Sequence, residues 1–295
     1  MKILISGGSG FIGKNLVNYL IQKKKNIMLI GRNLHFANVK QKNFDLNQLN
    51  YDYREIINYN PDVFVHLAWE KIPDYSEEIS KKNYNNTIRI IQTLVNLTNC
   101  KKIISTGSCW EYNDGNVLGE CREDFITNPK KPFSIYKDKI FKEVSEIAKK
   151  KNIIFNWLRL FYVYGPGQKK DSIISMLIET LKSKKKINMN YPGNINDYIY
   201  IDDVIKIIES FISKDINSGI YNVGSGKGIE VKKLLEIIDF TINGKNILTN
   251  EYLNKIDKNK RNQNFYASTK KLKKYLKDLK FMDIDTGIKN LIKSI

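Results

Sequence analysis

The residues with the clearest chemical use lie near the N-terminus, in the run Gly7-Gly8-Ser9-Gly10-Phe11-Ile12-Gly13. They follow a short apolar segment, Lys2–Ser6, and open a helical pattern, Phe11–Lys23. Gly7, Gly10 and Gly13 are spaced by three. In a strand–turn–helix setting the first glycine makes a tight turn. The second lets the backbone approach a pyrophosphate, and the third lets helix pack on strand. The helix N-terminus then offers free N–H groups and its dipole to the phosphates. Gly7, Ser9, Gly10, Phe11, Ile12 and Gly13 are therefore expected to hold a dinucleotide.

The end of the next apolar segment, Asn26–Ile30, selects among dinucleotides. An Asp or Glu there would hold a ribose 2′-hydroxyl. This chain has Gly31-Arg32-Asn33 instead. The planar donor fork of Arg32 suits a 2′-phosphate. The expectation is NADP(H), with NAD(H) second, bound beside Arg32 and Asn33.

These residues need a rigid frame. Apolar runs at Lys2–Ser6, Asn26–Ile30, Val63–Leu67, Lys102–Thr106 and Ile153–Leu160 read as strands. Between them Phe11–Lys23, Leu49–Tyr59, Asn83–Thr98 and Tyr136–Lys150 read as helices. Apolar strands alternating with helices predict a parallel sheet covered on both faces. The fold class is α/β, a Rossmann-type doubly wound sheet. After Gly165-Pro166-Gly167 the rhythm breaks up. Helices are expected at Asp171–Lys184, Asp202–Ser213, Glu230–Thr241, Ser268–Leu276 and Thr286–Lys293, with a strand at Gly219–Val223. The domain reading is a dinucleotide-binding domain over residues 1–165, with 198–223 returning to it. Residues 166–197 and 224–295 form a smaller, interleaved substrate-binding region.

Composition narrows the function class. The net charge of +18 comes from lysines scattered in clusters such as Lys23–Lys25, Lys149–Lys151 and Lys184–Lys186. No basic helix carries interleaved aromatics, so the excess reads as solvated surface rather than a nucleic-acid face. Three cysteines (Cys100, Cys109, Cys121) and two histidines include no CxxC pair, so neither a disulfide framework nor a metal site is expected. No apolar run is long enough for a membrane span. The opening MKILISGG reads directly into a strand rather than a signal peptide, which makes the cytoplasm the expected location.

Further along, several segments occur together in one order. They are Asp45-Leu46, Pro61-Asp62-Val63, His66-Leu67-Ala68, Asn83 with Asn86-Thr87, Arg159 to Gly167, Asp197 to Val204, and Tyr221 to Gly226. With the glycine loop, this array resembles the extended short-chain dehydrogenase/reductase family of nucleotide-sugar epimerases, dehydratases and ketoreductases. The resemblance covers nearly the whole chain. It implies cofactor contacts from Asp45, Leu46, Leu67 and Ala68, and a homodimer formed through long helices. It also implies a catalytic triad. Ser108, four residues before Tyr112, takes the place of the family's hydroxyl that bonds the substrate oxygen. The family's tyrosine and lysine stand four residues apart, on one side of a helix. Here Tyr136 is followed four positions later by Ile140, and Lys139 lies only three away. The expected catalytic set is Ser108, Tyr136 and Lys139, with the last two also contacting cofactor. Either this spacing serves the chemistry, or the protein is a catalytically impaired NADP(H)-binding protein.

The resemblance also bears on the reaction. Family dehydratases carry Asp-Glu after their catalytic hydroxyl, where this chain has Cys109 and Trp110. Two reactions remain: reduction of a 4-keto nucleotide-sugar by NADPH, and 4-epimerisation with a tightly bound NAD. Arg32 favours the reductase, as does a likeness to nucleotide-sugar 4-ketoreductases such as the CDP-abequose and CDP-paratose synthases. The substrate, a nucleotide-diphosphate sugar, would meet Ser108, Trp110, Tyr162 and Arg261.

Overall fold

The computed structural model describes residues 1–48, 51–185 and 187–295. Contacts divide them into two compact units. The first holds residues 1–114, 126–159 and 205–221; the second holds 115–125, 160–204 and 222–295. Each unit is thus assembled from separate stretches of chain.

The first unit is built on a central sheet. Its strands are β1 (Lys2–Ser6), β2 (Asn26–Gly31), β3 (Lys40–Asn43), β4 (Val63–His66), β5 (Lys102–Ser108), β7 (Ile154–Leu160) and β10 (Gly219–Val223), numbered in chain order with those of the second unit. Their order across the seven-stranded sheet is β10-β7-β5-β4-β1-β2-β3. Pairing is parallel from β3 through β5. Strand order reverses beside β1, the switch point at which doubly wound sheets bind ligands. In β1 and β4 consecutive residues are buried, as strands covered on both faces require. The edge strand β3, KQKN, is largely exposed and has no apolar pattern to announce it.

Helices α1 (Phe11–Gln22), α2 (Arg54–Tyr59), α3 (Glu77–Leu97) and α4 (Pro132–Lys151) belong to this unit, as does most of the later helix Ile201–Ser213. The expected start of α2 at Leu49 lies outside the described residues. Helix α3 starts six residues before the expected Asn83. Its Ser76 hydroxyl accepts from the Ile79 N–H, and Glu77 and Glu78 suit the positive end of the helix dipole. Helix α4 begins with a proline in its first turn and ends in Lys149–Lys151, with Asn152 in the left-handed region as its cap. Two lysines, Lys102 and Lys137, depart from the solvated reading. Lys102 is buried, and its Nζ donates to the carbonyls of Phe211, Ile212 and Lys214. There a cation meets carbonyls at a helix C-terminus.

The second unit carries a smaller sheet ordered β11-β9-β12-β6, with β8 on β9. These strands are β6 (Leu118–Cys121), β8 (Tyr162–Tyr164), β9 (Ile195–Tyr200), β11 (Gly228–Glu230) and β12 (Asn264–Ala267). The excursion over residues 115–125 was not anticipated from sequence; β6 pairs there with β12, over 140 residues away. Buried Asp197 organises the turn before β11, accepting from the N–H groups of Ser225, Gly226 and Ala267 and from the Ser225 hydroxyl.

Candidate active site

The glycine loop sits where β1 hands over to α1. Gly7 has φ of 78°, and a Cβ there would lie 2.6 Å from the backbone nitrogen of Ala68. A Cβ on Gly13 would overlap the Gly7 carbonyl. Both positions therefore require glycine. Gly10 caps α1 without any side-chain hydrogen bond, and the first turn of α1 has no acid. Its N–H groups are left for an anion. The loop opens into a groove of about 560 Å³ lined by Gly7, Ser9, Gly10, Arg32, Asn33, Asp45, Leu46, Leu67 and Ala68. Phe11, Ile12 and Gly13 form the adjoining first turn of α1. The groove, the uncapped helix start and the glycine cradle fit a dinucleotide.

Four further lining residues, Asn47, Glu70, Asn83 and Asn86, carry polar groups into the groove. Glu70 changes the reading of Arg32. Its carboxylate accepts from Arg32 at 3.2 Å and from Asn47 at 3.1 Å, and it pairs with Lys82 at 2.9 Å. Asn83 fixes its backbone, accepting from the Glu70 N–H at 2.8 Å. Arg32 also lies 3.9 Å from Asp45. The guanidinium expected to meet a 2′-phosphate is shared in the structure between two carboxylates. Partial burial raises the Glu70 pKa, but bonds from Lys82 and Asn47 and the Arg32 charge outweigh it and hold it below the usual carboxylate value.

Ser108 closes β5. Its hydroxyl accepts from the Trp110 N–H, and its own N–H donates to Glu111 at 2.7 Å, forming a capping box. Glu111 is fully buried. It also accepts from the Trp157 indole at 2.9 Å and from Arg159 Nε at 2.8 Å. Arg159 is buried as well, and the Glu111 charge outweighs burial to raise its pKa. One buried ion pair thus fixes the backbone that presents Ser108. Cys109 is buried beside it. Trp110 faces Tyr75, with ring centroids 6.1 Å apart, and Lys131, whose Nζ lies 5.2 Å from the indole centroid.

Helix α4 brings the expected Tyr136 and Lys139 together on one side. The Tyr136 hydroxyl donates to Glu77 of α3 at 2.5 Å, and its ring lies 5.6 Å from Tyr84. Lys139 is exposed, with its Nζ 4.7 Å from the Tyr136 ring centroid. Both belong to the α3 side of the helix. The face turned to β5 instead presents Phe133 and Lys137. Lys137 is buried, donates to the Thr106 carbonyl at 2.8 Å, and lies 4.1 Å from the centroid of Trp69, a groove residue. Phe133 meets Trp69 edge-on at 5.2 Å. Burial pulls the Lys137 pKa down to about 8 despite the neighbouring Glu111 charge. His66 bridges the hydroxyls of Ser6 and Thr87. Burial, then the Lys137 charge, push its pKa down to about 3, so it is a neutral structural bridge.

In the second unit Tyr162 stacks against Tyr198 and Phe265, with centroids 5.7 and 6.3 Å away. Arg261 is exposed on the segment leading to β12. Among the described residues no cluster of His, Cys, Asp and Glu could hold a metal, and no helix is long and apolar enough to cross a membrane.

A strand, glycine loop and helix at the switch point of a parallel sheet, with a groove opening from the loop, define a dinucleotide-binding domain. The model of the NAD dependent epimerase/dehydratase family matches residues 3–224. The chain belongs to that family, and it is an NAD(P)-dependent enzyme of the extended short-chain dehydrogenase/reductase type. It is 29% identical over 268 residues to dTDP-D-glucose 4,6-dehydratase of Dictyostelium discoideum, a match covering 80% of this chain and 62% of that relative. The chain therefore spans less than two thirds of that relative's length. It is 28% identical over 272 residues to dTDP-4-dehydro-6-deoxyglucose reductase of Escherichia coli, covering 83% of each. The solved UDP-glucose 4-epimerase of Thermotoga maritima shares the fold with a TM-score of 0.81 at 19% identity, covering 100% of this chain and 98% of that one.

Proposed function

We propose that this protein reduces the keto group of a 4-keto nucleotide-sugar. The observation that carries the reading is the hydroxyl of Ser108 at the end of β5, in the same sheet as the glycine loop, without the acid pair that elimination of water would need. The next positions hold buried Cys109 and Trp110, and the buried Glu111 carboxylate is committed to Arg159 and Trp157. The similarity to a 4-dehydro-sugar reductase supports the same choice.

In this reading Gly7, Gly10 and the first turn of α1 hold the pyrophosphate, and Asp45, Leu46, Leu67 and Ala68 flank the adenosine. The bound dinucleotide supplies the reducing hydride. The Ser108 hydroxyl donates to the substrate oxygen as negative charge develops there. Trp110, Tyr162 and Arg261 serve the sugar and its diphosphate, and a homodimer forms through α3 and α4.

The test is incubation with a reduced dinucleotide and freshly generated 4-keto nucleotide-sugars, following cofactor absorbance and identifying the product. Loss of one cofactor per product is the expected result. Interconversion of sugars with no net cofactor loss, by protein purified with bound NAD, would establish the epimerase instead.

Cofactor choice turns on Arg32. NADP(H) binding requires its guanidinium to turn from Glu70 toward a 2′-phosphate, against the charges of Glu70 and Asp45. Wild type is therefore expected to favour NADPH over NADH only weakly, by less than about tenfold, or ~1.4 kcal/mol. Glu70→Gln, which removes one competing charge, is expected to raise the NADPH/NADH affinity ratio by roughly fivefold or more, the scale of one charge-assisted hydrogen bond. Fluorescence titration of the two reduced cofactors reads the ratio directly. An unchanged ratio contradicts this role for Glu70.

A further inference from the structure

Helix α4 turns a ladder of Phe133, Lys137, Ile140, Val144 and Ala148 inward, all buried. One rung is charged. Lys137 lies among three aromatic rings, 4.1 Å from the centroid of Trp69, 5.8 Å from Trp157 and 5.9 Å from Phe133. One of its three ammonium protons is held by the Thr106 carbonyl, two residues before Ser108 on β5. The residue four before Lys137, one turn earlier on the same face, is Phe133, which has no proton to exchange. The nearby Tyr136 faces α3 and gives its hydroxyl proton to Glu77.

We propose that Lys137, rather than a phenol, gives the proton to the substrate oxygen, and that Phe133 serves as part of the aromatic wall that desolvates this lysine. The inference rests on the reductive reading above. The proton leaves Nζ for the oxygen as that oxygen takes up the electron pair of its C=O bond. Lys137 is left as a neutral amine and regains its proton from water. The ammonium also places positive charge beside the developing alkoxide.

Titration of Lys137 answers to several neighbours. Burial against Trp69, Phe133 and Trp157 disfavours the charge. Glu111, from the turn after β5, favours it, but that carboxylate is shared with Arg159 of β7. His66 of β4 is neutral and adds no charge. Burial prevails, and the amine sits near 8, close to the pH at which it would work. Reduction needs the ammonium, so its rate is expected to be level below about 8 and to fall as the pH rises through that value.

The experiment has a part that needs no substrate. Competitive acetylation of the apo protein across pH 6 to 11 (a probe range of roughly these limits, chosen to bracket the free lysine value of about 10.4), read by mass spectrometry at Lys137, is expected to show its amine becoming reactive near 8. Turnover profiles of variants form the second part. Lys137→Arg keeps the charge but holds its proton too tightly to give it up. It and Lys137→Met are expected to lose at least roughly a hundredfold in kcat, the scale of one acid–base group, with the alkaline limb gone in Lys137→Arg. Tyr136→Phe is expected to retain that limb. So is Tyr75→Phe, which removes the phenol whose ring lies 4.9 Å from Phe133. An amine that becomes reactive only near the free lysine value overturns the proposal, whether or not the protein folds as a variant. So does a limb that survives in Lys137→Arg or disappears in Tyr75→Phe. A depressed titration in a protein that reduces no keto-sugar overturns the choice of reaction and keeps Lys137 as the poised group.

Discussion

Gly13→Ala is expected to abolish dinucleotide binding and to destabilise the first unit together. The new Cβ would overlap the Gly7 carbonyl and press on the Gly8 Cα, all backbone atoms of the loop that α1 must touch. Rotamer changes cannot relieve such a clash, so helix and loop must separate. Overpacking of this kind costs about 1–3 kcal/mol, and the loop geometry that presents N–H groups to a pyrophosphate goes with it. Gly10→Ala is the matched control. Its Cβ would meet only the Gly7 oxygen, at 3.3 Å, but Gly10 lines the groove. This variant should lose about 1 kcal/mol of stability or less and still bind NAD(P)H more weakly. Thermal unfolding and cofactor fluorescence of both proteins check the pair. Full cofactor affinity in Gly13→Ala would contradict the loop's assigned role.

The second large effect is expected at Glu111. Glu111→Gln leaves the buried Arg159 guanidinium without its counter-charge. Removing one partner of a buried ion pair typically costs about 3–5 kcal/mol, whereas replacing both with apolar residues costs far less. Glu111→Leu combined with Arg159→Met should therefore be more stable in urea than either single variant. The double variant also loses the acceptor for the Ser108 N–H, so its activity should remain low where its stability returns. A double variant no more stable than the singles would show that the pair is not the source of the cost.

The parts of the molecule that could be read from sequence are those whose signal is local. The glycine loop declared itself because turn, pyrophosphate contact and helix packing each demand glycine within seven residues. Strands β1, β2, β4 and β5 were visible as apolar runs because both of their faces are buried. Strand β3 was not, since an exposed edge needs no apolar pattern. The partners of Arg32 were hidden for another reason. Glu70 is 38 residues away in sequence, and only the fold brings its carboxylate to the end of β2. Helix α4 carries two signals in its sequence. Tyr136 drew attention as a chemically useful residue, and Lys139 was fitted to it. The apolar ladder Phe133, Ile140, Val144 and Ala148 sets the phase of the helix instead, and Lys137 is the lysine that falls on it. A charge on the buried face is a signal separate from the Tyr136–Lys139 pair, and the proposal for Lys137 rests on it.

The central claim is that a dinucleotide held in the groove of the first unit reduces a keto-sugar. The most direct measurement is a stoichiometric one: NAD(P)H consumed against sugar product formed, with a 4-keto nucleotide-sugar as substrate. The account predicts one cofactor oxidised per hydroxyl formed, with both quantities lowered together in Gly10→Ala at limiting cofactor. Product formed without net oxidation of cofactor would contradict it.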